Sequence, residues 1–183
     1  MDAMDAPLPT WPLPITGERV RLRALRREDL EAFHGYRSDP EVSRYQGWLP
    51  MDRDAAARFI DDMQDVRGPV PDGWIQLGFA TLPGDRLAGD LGLHLDADGT
   101  TATIGYSCAR EFQRQGLATE AVRLLVRAVF DHTACTRVLA MTDARNLPSE
   151  RLLIGLGFVL AGSGEATFHG EPCTELTYVL SRP

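Results

Sequence analysis

The chain contains no lysine. All 19 of its basic side chains are arginine, set against 26 acidic ones for a net charge of −7. Without lysine there is no Schiff-base chemistry and no P-loop cation to hold nucleotide phosphates. The acidic balance argues against a nucleic-acid partner, which requires a basic face. It suits a cationic substrate only weakly, because net charge does not locate a field. Cysteine is scarce as well. Cys108, Cys135 and Cys173 lie far apart, form no CxxC and by their odd number make no disulfide framework, so a reducing, cytoplasmic setting is expected. His34, His94, His132 and His169 show none of the HxH, HExxH or HxxxH spacings, and no metal is expected. No run of about 18 apolar residues occurs, so no membrane span is expected.

What remains is a globular composition, 44% hydrophobic and 25% charged over 183 residues, which excludes disorder and fibrous classes. A chain of this length buries roughly 70% of its unfolded surface and needs no metal or disulfide to stay folded. Residues 1–16 carry Asp2 and Asp5 in place of a positive leader, and Pro7, Pro9, Pro12 and Pro14 break any apolar run. An extended, polyproline-like arm is expected there, followed by a single domain over 17–183.

Residues 19–25 alternate charged and apolar side chains and predict a half-buried strand. Helices are predicted over 28–38, where Pro40 forces a stop, and over 52–67. Strands over 74–82, 87–95 and 101–108, divided by turn-forming Pro-Gly-Asp and Asp-Ala-Asp-Gly, predict an antiparallel meander. A helix over 116–133 follows, with Ala118, Val122, Leu125 and Val129 at helical spacing. Then come a strand over 137–141, a helix over 147–156, and a closing hairpin of 158–168 and 174–180 around His169-Gly170-Glu171-Pro172. The order β-α-α-β-β-β-α-β-α-β-β is that of one mixed sheet flanked by helices.

The chemistry concentrates where the third meander strand gives way to the longest helix, at Gln113-Arg114-Gln115-Gly116-Leu117-Ala118-Thr119. The first turn of a helix offers unpaired N–H groups and the positive end of its dipole, a ready site for a diphosphate. Gly116 and Ala118 leave room for a ligand against the backbone, and Arg110 and Arg114 add cationic donors.

This segment, with Glu120-Ala121 after it, resembles the acetyl-CoA diphosphate loop of the GNAT superfamily of N-acetyltransferases. Asn146-x-x-Ser149 and then Gly157-Phe158 resemble the next motif of that superfamily. Val20-Arg21-Leu22-Arg23, Pro40-Glu41-Val42-Ser43-Arg44-Tyr45 and Ile104-Gly105-Tyr106 resemble its RimJ/RimL-like branch, whose best-known members acetylate protein N-terminal amines. The resemblance covers 19–181, in order.

It implies an α/β mixed fold, a single domain with a mostly antiparallel central sheet, splayed parallel fourth and fifth strands, and flanking helices. Pantetheine would lie in the splay, pairing with Ser107, Cys108 and Arg110, and the Cys108 N–H would polarise the thioester carbonyl. Gln113 and the N–H groups of Arg114, Gln115, Gly116, Leu117, Ala118 and Thr119 would take the diphosphate, and Asn146 and Ser149 would contact the coenzyme. Amine and acetyl-CoA would meet in a ternary complex with no covalent intermediate. Many members place a proton-donating tyrosine seven residues after the asparagine; here Leu153 stands there, so a Tyr at 153 should be tolerated and Ser149 becomes the candidate donor. The lineage also often forms dimers. Tyr45, Trp48 and Tyr106 are candidates for the acceptor cleft; His169 and Glu171 at the hairpin tip read first as solvated turn residues and second as substrate contacts; Asp90, His94 and Tyr106 on the central strands read first as structural or solvent-facing and second as bases.

The acceptor is expected to be a protein or peptide N-terminal amine; a small-molecule amine (aminoglycoside, polyamine or amino acid) and a non-catalytic acyl-CoA-binding module are the alternatives. A Cys108 nucleophile lacks a partner base in the pattern, and Gly155-Leu156-Gly157 lacks the third glycine of a dinucleotide fingerprint.

Overall fold

The computed structural model describes residues 11–183. Its elements in chain order are β1 (Ile15–Thr16), β2 (Val20–Ala24), a short 3₁₀ turn (Arg27–Asp29), α1 (Leu30–Arg37), α2 (Pro40–Ser43), α3 (Arg53–Met63), β3 (Gly73–Thr81), β4 (Leu87–Leu95), β5 (Thr101–Cys108), a second 3₁₀ turn (Arg110–Phe112), α4 (Leu117–His132), β6 (Arg137–Asp143), α5 (Leu147–Gly155), β7 (Val159–Phe168) and β8 (Glu171–Ser181). One sheet holds all eight strands in the order β1-β2-β3-β4-β5-β6-β8-β7. Every neighbouring pair is antiparallel except β5 and β6, which α4 joins in parallel.

Most elements match their sequence signals, and the differences have local causes. The expected arm lies outside the described residues over 1–10. From there Trp11 is buried at 6% exposure and Ile15–Thr16 pair with β2, so the boundary at 16/17 falls inside a hairpin. The added strand makes the splayed pair the fifth and sixth in this chain. Pro40 ends α1 as expected but also starts α2, because proline is tolerated in the first turn of a helix; the Asp39 carboxylate caps it by accepting from Glu41 N–H at 2.9 Å. α3 stops at Met63 rather than 67: Asp61, Asp62 and Asp65 crowd its negative end, and its last turn has no basic residue. The closing hairpin is tighter than expected. Phe168 pairs with Glu171 across His169 and Gly170, both at positive φ (53° and 79°), the geometry of a two-residue hairpin turn. Pro172 therefore lies inside β8, beyond the reach of β6, where its missing N–H costs no ladder bond.

Leu22, Phe33, Ile60, Leu77, Phe79, Leu91, Leu93, Val122 and Leu125 form the core. One charged residue of the alternating β2 segment, Arg23, is also inside. Arg23 turns inward from β2 and makes a two-pronged pair with Asp29 at 2.7 and 2.9 Å. Leu153 on α5 is 0% exposed, which overturns the expectation that tyrosine is tolerated there. A ring and hydroxyl in that space overpack the core, and Leu153→Tyr is expected to lose about 1–3 kcal/mol, read by denaturant unfolding. Among the described residues, no helix is long and apolar enough to cross a membrane.

Candidate active site

The parallel ladder between β5 and β6 ends at Ile104 and Ala140. Both strands continue beyond it, β5 to Cys108 against β4 and β6 to Asp143 against β8. The sheet therefore opens into a wedge whose walls are backbone. The Ala109 N–H bonds the Ala88 carbonyl at 2.9 Å, and antiparallel alternation then directs the main-chain groups of Ser107 to β4 and those of Cys108 into the wedge. This corrects one expectation: Ser107 has no free backbone for a ligand, and its side chain is 4% exposed. The Cys108 N–H faces the opening. Its carbonyl accepts from Gln113 Nε2 at 3.0 Å, and the Tyr106 carbonyl accepts from Gln46 Nε2 at 3.2 Å.

At the mouth of the wedge, Arg114 (φ 59°) and Gly116 (φ 76°) are both left-handed and fold the loop so that α4 begins abruptly at Leu117. No side chain caps that helix; the first closed bond runs from Glu120 N–H to Gly116 O at 3.1 Å. The N–H groups of Leu117, Ala118 and Thr119 thus point outward at the positive end of a sixteen-residue helix. The rest of the loop is tied down. Gln115 donates to Glu111 O at 2.7 Å, and the Arg19 guanidinium donates to Gln115 O at 2.8 Å. Arg19 in turn is held by Glu120, which accepts from its N–H at 2.9 Å and its Nε at 3.2 Å. Burial works to raise the Glu120 carboxyl, but the hydrogen bonds from Arg19 and Val20 outweigh it and hold it below the usual range. Arg19 carries no motif in sequence; only the fold brings the start of β2 against the loop. Arg110 does not point to the wedge. It is exposed and pairs with Asp39 at 3.0 Å.

On the other wall, Asn146 caps α5, its Oδ1 accepting from Ser149 N–H at 3.4 Å. Ser149 Oγ lies 2.8 Å from the Tyr106 hydroxyl, so two residues singled out separately in sequence form one pair. Burial pushes the Tyr106 phenol up to about 12, partly offset by the Ser149 bond, so it stays protonated at neutral pH. The Cys108 thiol is also pushed up to about 12, by burial and then by the Asp90 charge. A thiol held protonated is a poor nucleophile.

Two of the residues expected at the acceptor cleft, Tyr45 and Trp48, lie on the loop after α2. Trp48 stacks on the Arg37 guanidinium at 4.3 Å, and Tyr45 lies between Arg44 and Arg145 at 5.3 and 5.6 Å. Beneath them Asp90, 0% exposed, accepts from Arg37 at 2.8 and 3.0 Å, from Tyr36 at 2.6 Å and from Gln76 at 2.6 Å. Burial and the Asp90 charge push the Tyr36 phenol well above its ordinary range. With four donors, Asp90 is a structural anchor and not a free base. His94 lies at the far end of β4, against Trp74 and Asp72. Among the described residues, no cluster of three or more His, Cys, Asp or Glu side chains forms a metal site.

The chain matches the acetyltransferase (GNAT) domain over residues 19–159. It belongs to the GNAT acetyltransferases. Among curated relatives it is similar to the uncharacterized N-acetyltransferase p20 of Bacillus licheniformis, 31% identical over 79% of this chain and 82% of that one. Among solved structures, a GNAT-family acetyltransferase from Bacillus anthracis superposes with a TM-score of 0.83 at 21% identity, covering 92% of this chain and 98% of that one. RimL, a ribosomal α-N-protein acetyltransferase in complex with coenzyme A, superposes with a TM-score of 0.77 at 15% identity, covering 92% and 97%. The GNAT fold accounts for the wedge: a strand pair that parts, beside a helix whose N–H groups are left uncapped. The residues present fit a coenzyme with an anionic diphosphate and an amide-bearing arm.

Proposed function

We propose that this GNAT domain acetylates the α-amine of a protein or peptide N-terminus in a ternary complex with acetyl-CoA. The observation that carries the acceptor is the state of Asp90, whose carboxylate is taken up by Arg37, Tyr36 and Gln76. An α-amine with pKa about 8 is roughly 10% neutral at pH 7, whereas a lysine ε-amine near 10.4 is neutral about once in 2,500 molecules. A site whose buried carboxylate is so engaged suits the former, with water taking the proton.

Bound acetyl-CoA supplies an activated acetyl thioester and a thiolate leaving group. The N–H groups of Gly116 to Thr119 would bind its diphosphate, with Arg114 and Arg19 as flanking cations. Gln113 would yield the Cys108 carbonyl to the pantetheine, and Asn146 and Ser149 would contact the coenzyme arm. The Cys108 N–H, fixed by β5, would polarise the carbonyl under attack. With Tyr106 as the donor to Ser149 Oγ, the serine proton would be free to pass to the departing sulfur. Tyr45 and Trp48 would line the acceptor cleft.

Two measurements test this. Thiol release with acetyl-CoA is followed against an N-terminal peptide, spermidine and kanamycin; the peptide is expected to be fastest. Release with spermidine or kanamycin alone overturns the acceptor, and release with none overturns catalysis. Ser149→Ala is expected to lower kcat about 10²-fold, the usual worth of a positioned acid, while the acetyl-CoA Kd changes less than about threefold. Unchanged turnover clears Ser149 of a chemical role.

A further inference from the structure

The two lips of the acceptor cleft come from distant parts of the chain, the loop after α2 and the tip of the β7–β8 hairpin, yet they are bonded to each other. His169 Nε2 lies 3.1 Å from Gln46 O and 2.9 Å from Trp48 O. Both partners can only accept, so Nε2 carries the hydrogen and donates to both. Gln46 passes the connection inward: its side-chain amide donates to Tyr106 O, and the Tyr106 hydroxyl meets Ser149. His169, Gln46, Tyr106 and Ser149 thus run as one chain of bonds from the outer rim to the proposed proton donor. The backbone at His169 is itself unusual. At φ 53° it occupies the left-handed region, where Asn, Asp or Gly is the ordinary choice for the first position of such a turn. The ring placed there reaches the opposite lip.

We infer that His169 is a positioning residue that latches the hairpin tip to the Gln46–Trp48 loop and so sets the acceptor half of the site. The inference rests on the acetyl-transfer reading for its kinetic consequence, not for the latch itself.

The test uses His169→Ala and His169→Gln in the full chain. Glutamine puts an N–H near the place of Nε2 and keeps the donor. Backbone amide exchange across residues 45–49 reads the latch without any substrate: it is expected to speed up about five- to tenfold in the alanine variant, the worth of a lost bond, and to recover in the glutamine variant. Kinetics with whichever of the N-terminal peptide, spermidine or kanamycin releases thiol fastest read the consequence. The KM for that amine is expected to rise about fivefold in His169→Ala, with the acetyl-CoA KM unchanged and kcat within about twofold, and to return in His169→Gln. Unchanged exchange in His169→Ala overturns the latch. An equal rise in the acetyl-CoA KM, or no rescue by glutamine, overturns the acceptor role. If no amine releases thiol, the acetyl-transfer reading falls while amide exchange still decides the latch.

Discussion

Gly116→Glu is expected to weaken acetyl-CoA binding severely and to leave the fold in place. At φ 76° the position is left-handed, and a side chain there costs about 1 kcal/mol in strain, little for an exposed loop. A Cβ would stand 3.1 Å from the Arg19 guanidinium, so the new carboxylate draws that cation away from Gln115 O and loosens the loop. It also sets a negative charge beside the uncapped N–H groups of Leu117 to Thr119, where it can cap them itself and repel a diphosphate. Loss of a charge-assisted cradle is expected to weaken binding by about 10²–10³-fold. Calorimetric titration measures it, with thermal melting as the control for folding. Affinity equal to the wild type would remove the loop from the coenzyme site. Gly116→Ala, which adds strain without charge, should fall between the two.

Asp90→Ala has the largest expected effect on stability. The carboxylate is 0% exposed and is the shared acceptor of Arg37, Tyr36 and Gln76. Removing it leaves the Arg37 cation, 3% exposed along its side chain, without its countercharge. An uncompensated buried charge of this kind costs about 3–5 kcal/mol. For a domain of this size the melting temperature should fall by about 10 °C. Arg37 also supports Trp48 from below, so Trp48 fluorescence should change in the folded variant. A loss below about 1 kcal/mol would show that the network carries no net stability, as happens when a buried pair merely balances its own desolvation.

The side of the site proposed for the coenzyme is legible in sequence because its signal is contiguous: Thr101 to Thr119 spell out a strand, a tight loop and a bare helix start within one stretch of chain. The meander and α4 are legible for the same reason, through period and turn chemistry. Ser107 is misread because a motif does not say which way each residue of a strand turns its N–H; that needs the register. Leu153 is misread because its position in the motif says nothing of the core packed around it. The contacts proposed to frame the acceptor are hidden for a different reason. Gln46 to Tyr106, Arg37 to Asp90 and His169 to Gln46 are contacts between residues 60, 53 and 123 positions apart. Hydrophobic period carries no trace of such pairings, and histidine at the tip of a hairpin is indistinguishable in one dimension from a solvated turn.

The buried carboxylates Asp29, Asp90 and Asp143 are each matched by a guanidinium, from Arg23, Arg37 and Arg145. A lysine in these places would tend to shed its proton on burial and become a free amine. Guanidinium groups stay protonated at every physiological pH and do not compete for an acyl group. With arginine throughout, the side chains that brace these carboxylates offer no nucleophilic amine to a thioester, and the Arg37–Asp90 pair beneath Trp48 is inert to acylation.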